Sequence, residues 1–159
     1  MLRVDAAALN FPDILSIAGQ YQVKAPLPFT PGSEAAGEVI AAGEGSRFAV
    51  GDRVMTMGLW GAFAEQMVAP DMTCQPIPED MSAAQAAAFT ITHQTSYFGL
   101  VYRAGLQPGE TLLVHGGAGG VGTTAIQIGK ALGATVIATA GSEEKLAVCT
   151  ACGADHVIN

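Results

Sequence analysis

The sequence predicts an α/β plus β chain: a β-rich first part, then a βαβαβ unit of the kind that forms half of a doubly wound parallel sheet. Three observations predict it. Short strand-like runs separated by glycine turns occupy residues 37–68, the pattern of a small barrel or sandwich. From Thr111 to Ile158, strand-like and helix-like runs alternate, which implies parallel strands joined by right-handed crossovers. At the first strand-to-helix junction of that second part stands HGGAGGVG, residues 115–122.

The elements follow in order. Leu2 to Leu9 alternates as a strand does. Asn10-Phe-Pro-Asp13 reads as a helix start, with Asn10 at the cap, Pro12 in the first turn and Asp13 near the positive end of the helix dipole. That helix stops near Gly19. Prolines 26, 28 and 31 then impose an extended loop. Strands are expected at Gly37–Ala42, Arg53–Met57 and Phe63–Val68, separated by Gly43, Gly45, Gly51-Asp52 and Gly61. Ser82-Ala-Ala-Gln85 fits a capping box for an alanine-rich helix to Phe89. Thr92 to Arg103 reads as a second helix closed by Gly105, and Pro108-Gly109 marks a break. After it come strand Thr111–His115, helix Val121–Leu132, strand Thr135–Thr139, helix Glu143–Cys152 and strand His156–Ile158, with Gly133 and Gly153 ending the helices. The domain division read from this pattern is 1–105 and 106–159.

Composition narrows the function classes. Half of the 159 residues are hydrophobic and 13% are charged, a core-rich globular balance. No apolar run reaches the roughly 18 residues of a membrane span, and the first residues do not form a signal peptide. A cytoplasmic protein without membrane partners is therefore expected. The net charge is −7, with no basic face in either part, which argues against nucleic acid as a partner. A small anionic ligand is compatible with that charge, because backbone amides bind phosphate without net positive charge. Cys149-Thr-Ala-Cys152 has the C-x-x-C spacing but falls at the end of a helix, where the dipole disfavours thiolate. Two small buried cysteines are the plainer reading, and no second pair completes a zinc site.

Gly117-Ala-Gly119-Gly-Val-Gly122 matches G-x-G-x-x-G. The string is informative here because it follows a strand and opens a helix. Gly117 permits the tight turn, Gly119 lets a pyrophosphate approach the backbone, and Gly122 lets helix and strand pack closely. The helix amides and dipole then face the phosphates. The competing reading is a glycine-rich turn with no ligand. No Gly-Lys-Ser/Thr follows, so a kinase-type phosphate loop is excluded. A dinucleotide site for NAD has an acid about 20 residues on, at the end of the second strand. Here that end reads Thr139-Ala-Gly-Ser142, small and uncharged. Ser142 and Lys145 suit a 2′-phosphate, so NADPH is expected over NADH. Glu143 and Glu144 read as first-turn acids behind a Ser142 cap.

With those residues in view, the chain resembles the medium-chain dehydrogenase/reductase superfamily, in its zinc-independent quinone oxidoreductase (zeta-crystallin-like) branch. The stretches that carry the resemblance are LNFPDILSIAGQYQ (9–22), PLPFTPGSEAAGEV (26–39), VGDRV (50–54), GAFAEQMV (61–68), THQTSYFGL (92–100), LQPGETLLVHGGAGGVG (106–122), KALGATVIATAGSEEK (130–145) and GADHVIN (153–159). The resemblance implies a partial GroES-like β-rich catalytic domain, then the first βαβαβ half of a Rossmann domain, with the active site between the two. It implies that Asn10 and Asp13 lie near nicotinamide and substrate carbonyl, that Tyr21 donates to the substrate, and that Thr95 contacts the nicotinamide. Gly119, Gly120 and Val121 would carry the pyrophosphate, with Ser142 and Lys145 at the 2′-phosphate.

In zinc enzymes of the superfamily, a cysteine stands where this chain has Asn10 and a histidine where it has Ser33; neither replacement suits Zn²⁺. Expected chemistry is zinc-independent hydride transfer from NADPH to a quinone or another electron-poor double bond, with a small-molecule substrate. A tyrosine found in some members two residues after the aspartate is Leu15 here. The resemblance further implies a fragment of a homodimeric parent about twice as long, with little turnover by residues 1–159 alone. The alternative is a non-enzymatic NADPH-binding or partner-binding protein that keeps the half fold. On the residues alone, Asn10 as a cap, Asp13 as a dipole partner and Thr95 as a helix hydroxyl bonded to its own backbone are the better readings.

Overall fold

The computed structural model describes residues 1–159, which divide into two compact units, Met1–Ile91 and Thr92–Asn159. The sequence break at 105/106 falls inside the second unit.

The first unit is built on strands β1 (Leu2–Ala7), β2 (Glu34–Val39), β3 (Arg53–Met57), β4 (Gln66–Met67) and β5 (Cys74–Pro76). They form one antiparallel sheet in the order β4-β1-β2-β3-β5. β2 begins three residues earlier than its sequence suggests. Its run Glu-Ala-Ala-Gly-Glu-Val has no β-branched residue before Val39 and looks unlike a strand. The strand exists because small side chains let neighbouring backbones close in. A Cβ on Gly37 would lie 1.9 Å from the Arg3 carbonyl oxygen, beside a register irregularity between Val4 and Ala6 of β1. β4 is shorter than expected, and β5, three residues ending in proline, has no strand-like signal.

Helix α1 (Phe11–Ile17) starts behind Asn10, which is extended at φ −115° and ψ 155°. Helix α2 (Ala83–Ala87) carries its expected box: Ser82 N–H donates to Gln85 Oε1 at 3.0 Å, and Gln85 N–H donates to Ser82 Oγ at 3.3 Å. Two apolar clusters fill the unit. One joins Ala36, Met55, Ile77, Ala86 and Ala87; the other joins Leu2, Val39, Val54 and Cys74.

Helix α3 (Thr90–Tyr97) runs on into a π-helical segment, Phe98–Arg103, and Gly105 follows at φ +64°. The second unit continues with β6 (Thr111–Val114), α4 (Gly120–Ala131), β7 (Thr135–Thr139), α5 (Glu143–Ala151) and β8 (His156–Ile158). The strands pair in parallel, in the order β6-β7-β8. Val114, Val136 and Ala138 pack with Ile126 of α4 and Cys149 of α5 in one core. Asp155 ties the end of α4 to the sheet: it accepts from Lys130 Nζ at 2.7 and 2.8 Å and from the Val136 N–H at 2.7 Å. Those donors hold its carboxyl below the ordinary range, the Lys130 bond most. The C-x-x-C residues are both free thiols; Cys149 is fully buried and Cys152 half-buried. No helix is long and apolar enough to cross a membrane.

Candidate functional site

Two constellations stand out, one in each unit. In the first, two carboxylates are almost wholly buried, Asp13 at 3% exposure and Glu34 at 1%. A buried carboxylate is costly unless its oxygens receive hydrogens. Asp13, in the first turn of α1, accepts the Asn10 N–H at 2.7 Å and the Ser33 hydroxyl at 2.8 Å. Glu34, at the start of β2, accepts the Asn10 side-chain amide at 3.0 Å and the Ile91 N–H at 2.6 Å. Asn10 therefore bridges both acids, through its backbone to one and its side chain to the other.

Asn10 and Asp13, both candidates from the sequence, are thus brought together. Asn10 stands at the cap position but turns its side-chain nitrogen to Glu34. One hydrogen of that nitrogen serves Glu34, and the second meets no protein acceptor. Tyr21 is half-buried beyond the end of α1. Its N–H donates to the Leu15 carbonyl at 3.1 Å, and no hydrogen bond joins it to Asn10 or Asp13. Glu34 was missed as a site residue. Its signal was an acid set in a run of small residues, Gly-Ser-Glu-Ala-Ala-Gly. The donor set suits hydrogen bonding better than Zn²⁺, since an amide and a hydroxyl hold the places beside the acids. No three His, Cys, Asp or Glu side chains converge as a metal site.

The second constellation is the loop between β6 and α4. Gly116 turns the chain at φ +64°. A Cβ on Gly117 would meet Cys149 Sγ at 2.8 Å and the Ala138 Cβ at 2.9 Å; one on Gly122 would meet the Gly116 carbonyl oxygen at 2.4 Å. Both positions therefore exclude every other residue without movement. Gly119 is the cap, extended at φ −79° and ψ 165°, and Gly119 N–H donates to Gly116 O at 3.0 Å. Helix α4 begins at Gly120, one residue earlier than expected. Its first amides, on Gly120, Val121 and Gly122, have no intrahelical acceptor, and the helix dipole adds positive potential there.

The remaining sequence candidates lie outside this loop. Ser142 caps α5, accepting the Lys145 N–H at 3.4 Å, with Glu143 and Glu144 in the first turn. Lys145 is exposed. Thr95 is exposed on α3 and shows no bond to its own backbone. The sequence reading missed a hydroxyl pair behind the loop: Ser96 and Thr124, 4% and 5% exposed, lie 2.7 Å apart. His115 Nδ1 meets Thr139 Oγ1 at 3.1 Å across the ends of β6 and β7.

Residues 1–79 match the alcohol dehydrogenase GroES-like domain, and residues 120–159 match the zinc-binding dehydrogenase family. Human quinone oxidoreductase is 39% identical over 161 residues, covering 100% of this chain and 49% of its own length. A crystal structure of a probable oxidoreductase from Mycobacterium abscessus superposes with TM-score 0.94 at 42% identity, covering 99% of this chain and 50% of that one. The quinone oxidoreductase of Thermus thermophilus, whose structures include a complex with NADPH, superposes with TM-score 0.86 at 38% identity, covering 98% and 49%. The chain spans about half the length of the curated relatives it matches. An antiparallel GroES-like sheet, a parallel βαβαβ unit opened by a glycine loop, and these matches together make it a chain of the alcohol dehydrogenase-like, medium-chain dehydrogenase/reductase family, similar along its whole length to quinone oxidoreductases.

Proposed function

We propose that this chain supplies the NADPH cradle and the polar substrate-side residues of a reductase that delivers hydride, without zinc, to a quinone or another electron-poor carbonyl or alkene. The observation that carries the reading is the glycine loop. Gly117 and Gly122 have no room for a Cβ, and the amides of Gly120, Val121 and Gly122 begin α4 without acceptors. Those residues fit a pyrophosphate, and the Thermus relative binds NADPH.

When bound, NADPH supplies the hydride. The chain's own part is to hold and orient. Gly119 lets the pyrophosphate near the backbone, and the Gly120, Val121 and Gly122 amides donate to it. At the end of β7, Ala140 and Gly141 leave space, and no acid precedes Ser142 to bind a 2′-hydroxyl. The Ser142 hydroxyl and Lys145 ammonium are the groups for a 2′-phosphate. Thr95 is the candidate nicotinamide contact.

In the first unit, Asn10 is held from both sides by Asp13 and Glu34, so its free amide hydrogen is fixed in direction. That hydrogen is suited to polarise a substrate carbonyl, as a hydrogen bond rather than a Lewis acid. Asp13 and Ser33 position it, and Tyr21 is a second donor toward substrate.

The test is a calorimetric titration of the chain with NADPH and with NADH. Tighter NADPH binding, lost in Lys145→Glu, is expected. Tighter NADH binding would overturn the assignment of Ser142 and Lys145, and no binding of either would overturn the cradle.

A further inference from the structure

The cradle's amides belong to peptide units whose carbonyls point the other way, toward the body of α4. Two of those carbonyls receive a side-chain hydroxyl in addition to their helical N–H. Thr123 Oγ1 donates to the Gly120 carbonyl at 3.0 Å. The Val121 carbonyl lies 2.9 Å from Thr124 Oγ1 and 3.0 Å from Ser96 Oγ.

The hydrogens can be traced. Ser96 Oγ and Thr124 Oγ1 are 2.7 Å apart, so one hydroxyl hydrogen lies between them. If Thr124 donates to Ser96, then Ser96 donates to Val121 O. If Ser96 donates to Thr124, then Thr124 donates to Val121 O, sharing with the Thr92 carbonyl 3.1 Å away. The first order puts the Ser96 hydrogen on Val121 O; the second divides the Thr124 hydrogen between Val121 O, the nearer acceptor at 2.9 Å, and Thr92 O. A carbonyl has two lone pairs, so it accepts this hydrogen as well as the helix's own.

The peptide unit with the Gly120 carbonyl carries the Val121 N–H, and the one with the Val121 carbonyl carries the Gly122 N–H. Donation to a carbonyl polarises the N–H of the same planar unit and fixes its direction. Mid-helix threonines that bond back to their own turn ordinarily bend a helix slightly and weaken it. Here two adjacent ones do so in the turn that faces the ligand, one of them buried against Ser96. We propose that Thr123, Thr124 and Ser96 are positioning residues, which aim and strengthen the Val121 and Gly122 amides toward the pyrophosphate of a bound dinucleotide. The proposal rests on the NADPH-cradle reading above.

The test compares Thr124→Val, which keeps shape and loses the hydroxyl, with Thr124→Ser, which keeps the hydroxyl. Two quantities are read: the Kd for NADPH, and the backbone resonances of the unliganded chain. Losing one buried hydrogen bond predicts about a threefold to tenfold weaker Kd in Thr124→Val, and a value near wild type in Thr124→Ser. The Val121 carbonyl carbon and the Gly122 amide should shift in Thr124→Val and return in Thr124→Ser. Ser96→Ala should give a smaller change of the same kind, and it serves where Thr124→Val does not fold. Equal Kd values in wild type and Thr124→Val, or unmoved Val121 and Gly122 resonances, would overturn the tether. A wild-type chain that binds no NADPH would overturn the cradle instead, and the resonances of the unliganded variants still decide whether the tether exists.

Discussion

The two units build their candidate sites from opposite materials. The first concentrates side chains: two buried carboxylates, an amide and a hydroxyl, each acid matched to its donors. The second removes them, so that bare backbone amides begin α4 without acceptors, after a loop where two positions exclude even a methyl group. A site made of side chains can be damaged by subtraction. A site made of backbone is damaged by addition.

The sharpest break of that contrast is Gly122→Val. Its Cβ would lie 2.4 Å from a backbone oxygen, which no rotamer relieves, so the loop must move. NADPH binding should fall below detection, with a stability loss of about 1–3 kcal/mol, read by titration and thermal melting. Gly141→Ala is the matched control: its Cβ meets nothing within 4 Å and its φ is not left-handed. It should leave stability unchanged or raise it by about 0.4–1 kcal/mol.

Subtraction in the first unit comes next. Glu34→Ala strands the Asn10 amide and the Ile91 N–H, two half-buried donors, each worth about 1 kcal/mol when unsatisfied, the low end for such a group. A loss near the sum, measured by denaturant unfolding, is expected. Glu34→Gln should not rescue it fully, because one of its two ends would set donor against donor. A variant as stable as wild type would mean the carboxylate is not holding Asn10.

The smallest effect is a pH dependence. The Asp155 carboxyl is lowered by Lys130 and by the Val136 N–H. Its stabilisation is complete above the unfolded carboxylate value, about 3.9, and is lost as pH falls through the lower folded value. Asp155→Asn should therefore flatten the acid limb of the melting profile and change its slope little above neutrality. Asp71 in the first unit, held down by the Ser46 hydroxyl and then by Arg47, should behave likewise when changed to asparagine.

The same opposition governs what the sequence made legible. Local signals carried the second unit: alternating strands, a glycine loop in the right context and glycine helix ends placed its elements nearly residue for residue. The first unit depends on contacts far apart in the chain. Asn10 reaches Glu34 across 24 residues, and Ile91 reaches it across 57, so no window of periodicity contains the network. β2 was misplaced for a related reason. Its residues are poor strand formers, and its place is set by the close approach of Arg3 to Gly37. Ser96 and Thr124 were invisible because hydroxyls at helical spacing say nothing about which carbonyl they meet.

Cys149 lies directly beneath Gly117, with its sulfur 2.8 Å from where a Cβ would stand. The two positions therefore share one fixed volume, and evolution can spend it only once. Related chains that carry alanine at 117 should carry a residue smaller than cysteine at 149 and glycine at 138, whose Cβ would otherwise lie 2.9 Å away, and chains with a larger residue at 149 should be confined to glycine at 117. A helix position with no part in ligand contact would then drift in step with the loop, as a correlated pair.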